Sequence, residues 1–523
     1  MSLTSSSFSR RRFLAAIGLV GAGTALAACG GSDSSGGAAG NLTPQQGGNL
    51  LIGMPAVSDY LNPLVATTSA VAWASAPVVE SLYDYDESMK SVPLLAAGEP
   101  EISADGLTWT ITLKEGVKFS NGDALTAEHV AAVLKHVSNT KAYSDWTTYF
   151  AYSVADAKAT DALTVVITLA APYGILRSLL NNLPIVHKDF IDKTDTTMGT
   201  GPFVVGSVAQ GQKVELTRNA GYHGEAPALE KVTFTAIPDA ATRTVSLRSG
   251  EIHVMTDVPP DNVALLKKES AINVHVVAAP ISILSYFNAK KGPFDNVKVR
   301  QALAHSMDRA GVNEVVYAGT AGIGQGPAGP ALEGHNPDAA LYSGTPDVDK
   351  AKALLAEAGA GAVEFTLMVS SSSKELTNAA QVLVEGWKQA GITCKLDIID
   401  GGTWISRWMA GDYQMAMSSY STGVSAGKTA FPLFSTYVST NAMNYGYANA
   451  EVDKLLGQAW ATSSDEERTA ACKQADALLA ADAIAVPPVY PSLIIAQRTD
   501  VTALDAGQLS LSRLPAAGAQ LMA

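Results

Sequence analysis

The stretch Asp105–Val130 changes its hydrophobic period within a few residues, and this restricts the fold more than any other feature. Leu107, Trp109, Ile111 and Leu113 alternate with Thr108, Thr110, Thr112 and Lys114, the period of a strand with one buried face. Glu115-Gly116 interrupts it. Val117 and Phe119 begin a second, short strand, and Asn121-Gly122-Asp123 supplies turn residues. Thr126 then stands where it can cap a helix, with Glu128 in the first turn, where the helix dipole favours an acid. Strand, turn and capped helix in direct succession make the corner of a mixed α/β domain. None of these residues carries evident chemistry.

A chain of 523 residues is too long for one core and predicts two to four domains. Thirty-six basic against forty-nine acidic residues give a net charge of −13, which argues against nucleic acid and against adsorption on anionic lipid. The basic residues at the start have a separate explanation. Ser9-Arg10-Arg11-Arg12-Phe13-Leu14 fits the twin-arginine export pattern, and a short apolar run ending in small residues follows to Ala28. Leu26-Ala27-Ala28-Cys29 resembles a bacterial lipobox, which implies acylation of Cys29 as the mature N-terminus. The Gly/Ser-rich residues after it read as a flexible tether. Cys394 and Cys472 then remain, and are read as two small buried thiols with a disulfide as the alternative.

Beyond the tether the chain alternates strand and helix patterns. Asn49–Met54 reads as a strand, followed by the loop Ser58-Asp59-Tyr60-Leu61-Asn62-Pro63 and an Ala-rich helix over 69–83. A loop between strand and helix is where α/β proteins place ligands. After the opening stretch come Tyr143, Trp146, Tyr149 and Phe150, an aromatic cluster. The long segment from Gly319 to Gly344 is rich in Gly and Pro and predicts a long loop. Strand-like Tyr413–Ser418 precedes the segment Ser418–Thr422.

Taken as strings, Val78–Thr110 and Asp105–Val130 closely resemble the signature of family 5 extracellular solute-binding proteins, the peptide and nickel receptors of ABC importers. Gly199-Thr200-Gly201-Pro202-Phe203 is similar to that family's hinge-like segment, and Leu247–Ile252 to its helix-to-strand turn. Phe294–Gly319 resembles its second signature, with Val297, Val299-Arg300, Ala302-Leu303 and Met307-Asp308-Arg309 at matching positions. The resemblance implies an α/β, periplasmic-binding-protein-like class II fold, with two lobes around a hinge and a discontinuous first lobe carrying an extra subdomain. The expected organisation is a signal at 1–28, a tether at 29–48, lobe I from 49–83, 195–280 and 490–523, an extra subdomain at 84–194, and lobe II at 281–489.

One segment also matches two enzyme motifs. Gly423-Val424-Ser425-Ala426-Gly427 matches a G-x-S-x-G nucleophile elbow. An elbow needs a helix directly after it and a base; the last histidine, His335, lies upstream, and Pro432 interrupts the helix. Gly423–Thr429 is one residue too short for a phosphate cradle. The histidines are scattered, without metal-ligand spacing.

The expectation is therefore a receptor and no enzyme, without catalytic residues, cofactor or metal. It captures a peptide-like or other small organic solute for ABC permease subunits. It is a monomer held by its lipid on the outer face of the cytoplasmic membrane, with no nucleic-acid partner. A ligand-loaded sensory receptor is the alternative, and a secreted serine hydrolase a weaker one. Expected ligand contacts are Tyr60, Asn62, Tyr143, Tyr286, Ser419, Tyr420 and Tyr490. In peptide-binding relatives a Tyr at the place of Tyr143 lines the cleft. The segment matching Ser418–Thr422 usually carries a Trp and then an Asp, whose carboxylate pairs with the peptide's amino terminus. Here neither is present, and no acid lies between Asp412 and Glu451. A buried ammonium without a carboxylate is costly. Either another acid meets it, or the solute is not a free-amine peptide.

Overall fold

The computed structural model describes residues 43–86, 90–139, 145–504, 509–510 and 513–522. Arg10–Arg12, Cys29 and Tyr143 lie outside the described residues. Among those described, no helix is long and apolar enough to cross a membrane.

Two sheets carry most of the chain. The first has seven strands, in the order Phe203–Ala209, Lys213–Arg218, Lys231–Ala236, Asn49–Met54, Val254–Met255, Ser492–Arg498 and Ile272–Ala278. The second has five, Ile392–Ile399, Val363–Ser370, Met415–Ser421, Ile281–Phe287 and Ala485–Val486. The chain passes from the first sheet to the second between Ala278 and Ile281, and back between Val486 and Ser492. Each sheet has its own apolar packing. Leu50, Ile52, Trp73, Phe203 and Phe234 gather under the first. Ile283, Phe287, Phe365, Trp387 and Met417 lie in the core of the second.

The Asp105–Val130 stretch belongs to a third, four-stranded sheet of Glu101–Ile102, Thr108–Thr112, Thr164–Leu169 and Val154–Ala159. Trp109, Ile111 and Leu113 are buried, as the alternation requires. Val117 and Phe119 are buried too, but form only a single bridge, Lys118 to Ala124, and no strand. The helix Ala127–Val137 starts at Thr126, whose hydroxyl and backbone N–H both meet the Nδ1 of His129. The apolar core of this subdomain is continuous with that of the second sheet. Its helix Leu176–Asn182 docks so closely that a Cβ on Gly174 would lie 2.3 Å from the carbonyl oxygen of Ala459. Arg468, 1% exposed, reaches across to Gly174 O and to Ser178 Oγ at 3.1 Å, while pairing with Glu333 and Asp465 on its own side.

The return to the first sheet is equally tight. A Cβ on Gly199 would lie 2.2 Å from the carbonyl oxygen of Val78, and one on Gly201 would lie 2.6 Å from that of Pro77. Beside this seam the buried carboxylate of Glu80 accepts hydrogen bonds from Thr200 Oγ1 at 2.7 Å and Tyr222 OH at 3.0 Å, and meets His223 Nε2 at 2.7 Å. Cys394 and Cys472 are free, and burial pushes both thiols up to about 12. They are packing residues without nucleophilic character.

Two outcomes follow. Gly199→Ala drives a methyl into backbone that cannot give way, so chemical denaturation should show a loss of about 2–3 kcal/mol. Gly361→Ala, where a Cβ meets nothing within 4 Å, should stay within about 0.5 kcal/mol of wild type. Burial, then the neighbouring His187 and Lys188, pushes His129 down from 6.5 to about 4. The unfolded chain therefore binds a proton that the folded chain refuses. Stability is lost as pH falls from about 6.5 to 4, by on the order of 2 kcal/mol. Melting curves of His129→Gln should be flatter than wild type across that window.

Candidate functional site

Strand parity sorts the residues of the second sheet between its two faces. Tyr420 stands opposite Ser282, Ser418 opposite Leu284, and Ala416 opposite Tyr286. Residues directly across an antiparallel ladder project to the same side. Tyr420, Ser418, Ser282 and Tyr286 thus share one face. Ser419, expected beside Tyr420, projects from the other face and is exposed there. The strand runs on to Ser421, so neighbours in the sequence point in opposite directions and the two expected contacts stand on different faces.

This face is aromatic and hydroxyl-rich. The Tyr286 ring lies 6.0 Å from Trp408, edge to face, and Trp408 stacks on Trp404. Burial lifts the phenols of Tyr286 and Tyr420 well above their ordinary value, with further effects on Tyr420 from Tyr286 and Asp145. Both stay neutral, able to donate one hydrogen bond and accept others. Ser282 is fully buried, and its Oγ has no hydrogen-bond partner among the described residues; the Nε1 of Trp408 is likewise unpaired there. Buried polar atoms of this kind are rare and ask for a partner.

The facing wall is the helix Asp145–Phe150. Trp146 and Phe150, four residues apart, are fully buried, and Trp146 Nε1 donates to Pro63 O at 2.8 Å. Asp145 and Tyr149, also four apart, are left half-buried on another face. Asp145 Oδ2 accepts from Ser425 Oγ at 2.5 Å. Burial raises the Tyr149 phenol, followed by Tyr420 and Asp145. Ser425 is 0% exposed and bonded to a carboxylate. His335 is occupied elsewhere, with its Nδ1 2.8 Å from Ala328 O. Ser425 therefore lacks the imidazole that a nucleophile elbow needs.

Two further expected contacts are structural. Asn62 is 0% exposed; its Nδ2 donates to the carbonyls of Phe190, Ile191 and Lys193, and its Oδ1 accepts from Leu64 N. It has no atom left to offer a solute. Tyr490, 3% exposed, accepts from Gln325 N at 2.9 Å and donates to Gly326 O at 2.7 Å, which holds the Gly-rich loop. Tyr60 is 48% exposed on the first-sheet loop and stays accessible. Asp145 and Ser282 stand beside the expected contacts without being among them, and Ser418 lies in the Ser418–Thr422 segment without being an expected contact itself. The i, i+4 pairing within Asp-Trp-Thr-Thr-Tyr-Phe could have separated Asp145 and Tyr149 from the core pair. A shallow depression of about 320 Å³ lies at the other end of the second sheet, bordered by Lys291, Asp397, Arg407 and Asp412. These four pair with one another and form an ion-pair network.

The family described as bacterial extracellular solute-binding proteins, family 5 Middle, matches residues 90–442. The glutathione-binding protein GsiB of Salmonella typhi is 28% identical over 463 residues, covering 84% of this chain and 89% of that protein. Among solved structures, a nickel ABC transporter protein from Bacillus halodurans superposes with a TM-score of 0.78 at 25% identity, covering 90% of this chain and 100% of the other. The periplasmic binding protein DppA of Helicobacter pylori, in complex with the peptide STSA, gives 0.70 at 24% identity, with coverage of 91% and 98%.

The contrast between structural and site hydroxyls is measurable. Tyr490→Phe strands a buried N–H and a carbonyl, and should cost about 1–3 kcal/mol in denaturant titration. Ser282→Ala removes a hydroxyl that bonds nothing among the described residues. It should leave stability unchanged or raise it by up to about 1 kcal/mol, and lower the affinity for whatever the cleft binds.

Proposed function

The chain belongs to the bacterial extracellular solute-binding proteins of family 5, and from that premise we propose that it is a lipid-anchored receptor capturing a peptide-like or other small organic solute between its two lobes. The family serves ABC importers, and the class II two-lobed fold is that of its solved members. The finer reading is supported by one feature above the rest: an aromatic, hydroxyl-bearing face, with an unpaired Ser282 Oγ, opposed by Asp145 and Tyr149 of the subdomain. Such a surface can bury a small solute while offering a few directional polar groups.

The proposed mechanism is capture without chemistry. Solute that touches both walls binds the closed arrangement better than an open one, and shifts the population toward it. The closed form is then what the permease recognises. Tyr420, Tyr286, Tyr60 and Tyr143 are the proposed contacts from the sequence reading, joined by Ser282, Ser418 and Tyr149. Export through the twin-arginine signal and acylation at Cys29 would keep this monomer at the outer face of the cytoplasmic membrane. The relative GsiB, named for binding glutathione, supports a short peptide or a molecule of similar bulk as the size class.

Mass spectrometry of small molecules released from purified protein should recover one organic solute class in near-stoichiometric amount. Adding that solute back at a hundred times its Kd should stabilise the protein by about 2.7 kcal/mol, with the solute recovered unaltered. Chemical turnover that disappears in Ser425→Ala would overturn the reading. Cys29→Ser should move the protein from the membrane fraction to the soluble one.

A further inference from the structure

The second-sheet side of the cleft has no acid of its own between Asp412 and Glu451. The fold brings one from far away in the chain. Asp145 meets the strand-end loop through the 2.5 Å hydrogen bond from Ser425, and a Cβ on Gly423 would stand 3.1 Å from the same Oδ2. Among the described residues, no Lys, Arg or His forms an ion pair with Asp145. Its surroundings are phenols, Tyr149 on its own helix and Tyr420 opposite, and the buried Ser282 hydroxyl opposite Tyr420 is also unpartnered.

We infer that Asp145 is the specificity-determining acid of the cleft, receiving a positively charged ammonium or guanidinium group of the solute between the rings of Tyr149 and Tyr420. This rests on the capture reading above and adds the charge of the solute. A half-buried carboxylate with one neutral donor keeps acceptor capacity unused, and charge-assisted hydrogen bonds to a cation are stronger than those to neutral donors. The flanking ring faces attract the same sign of charge. An anionic group in that place would meet repulsion from Asp145 and no compensating cation. The acid comes from the wall opposite the one that carries it in peptide-binding relatives. A cation held there would touch the subdomain directly and the second sheet through Tyr420 and Ser425, so its binding would tie the two walls together.

The test loads solute-stripped protein with casein hydrolysate, a pool of amino acids and short peptides, and with the same pool after N-acetylation. Native mass spectrometry reads what is retained by wild type, Asp145→Asn and Asp145→Glu. Wild type should retain solutes bearing an amine or guanidine and lose amine-bearing ones on acetylation. Asp145→Asn, which can still accept from Ser425, should reduce retention at least tenfold at an unchanged melting temperature, and Asp145→Glu should restore part of it. Equal retention of free and acetylated amine solutes by wild type, or retention by Asp145→Asn within twofold, overturns the assignment and leaves the capture reading standing. If wild type retains solutes from neither pool but binds an uncharged or anionic compound recovered from its own purification, the assignment is also overturned. If it binds nothing at all, the capture reading fails with it.

Discussion

The side-chain amide of Asn62 is the constraint on which the geometry of the cleft depends. It gathers three carbonyls, at 3.0, 2.9 and 2.7 Å, from Phe190, Ile191 and Lys193, and so fixes the end of the subdomain against the loop that leaves the first sheet. Leu61 N adds a bond to Thr194 O at 2.9 Å. The next residue, Pro63, offers the carbonyl that anchors the Trp146 indole. Trp146 in turn sets the rotation of the helix Asp145–Phe150, and with it the direction of Asp145 and Tyr149. A residue with no exposed surface thereby aims Asp145 toward Ser425 and Tyr149 toward Tyr420. Truncating Asn62 would strand the buried carbonyl of Ile191, at a desolvation cost of roughly 1–3 kcal/mol, and release the part-buried carbonyls of Phe190 and Lys193.

Two seams bracket the subdomain. On one, Gly199 and Gly201 let the backbone pass against Pro77–Val79 with no room for a side chain, and Glu80 collects three polar partners beside them. On the other, Arg468 reaches from the second-sheet half to Gly174 and Ser178. A guanidinium so deeply buried is costly unless its donors are met. Glu333 and Asp465 supply the charge, and the subdomain supplies the remaining acceptors. Any opening of the cleft that parts these elements has to give Arg468 new partners, so the seam itself favours the arrangement described here. Solute then adds to a bias already present in the packing.

Much of the scaffold was legible in the sequence because it rests on local pattern. The alternation in Leu107–Leu113, the strand Asn49–Met54 and the Thr126 start of the helix Ala127–Val137 are statements about neighbours in the chain. The site is different. Asn62 and Tyr490 look like ligand residues in sequence, since an Asn before Pro or a Tyr after a Pro pair carries no mark of whether its partner is a carbonyl or a solute. The parity of Ser419 and Tyr420 depended on the strand continuing through Ser418–Ser421, residues with little hydrophobic signal, and pairing with Ile281–Phe287 decided it. The short helix Leu176–Asn182 escaped notice because its residues are buried nearly all round, which leaves no periodic contrast to read.

The absent acid of Ser418–Thr422 shows how this matters for function. Sequence comparison along one segment can report that a carboxylate is missing, but a cleft is assembled from segments that are distant in the chain. Asp145 and Ser425 are separated by 280 positions, and they meet because Trp146 and Phe150 commit their helix to the core on one side. A wall that needs only two buried aromatics to hold its place leaves its other residues open to change. Moving a charge from the sheet to such a helix alters which end of a solute is fixed, without touching the hinge, the seams or the signature stretch. The features that identify the scaffold and those that select the solute therefore obey different constraints. The first are bound by packing and change little without loss of stability; the second require only exposure to the cleft and a partner across it.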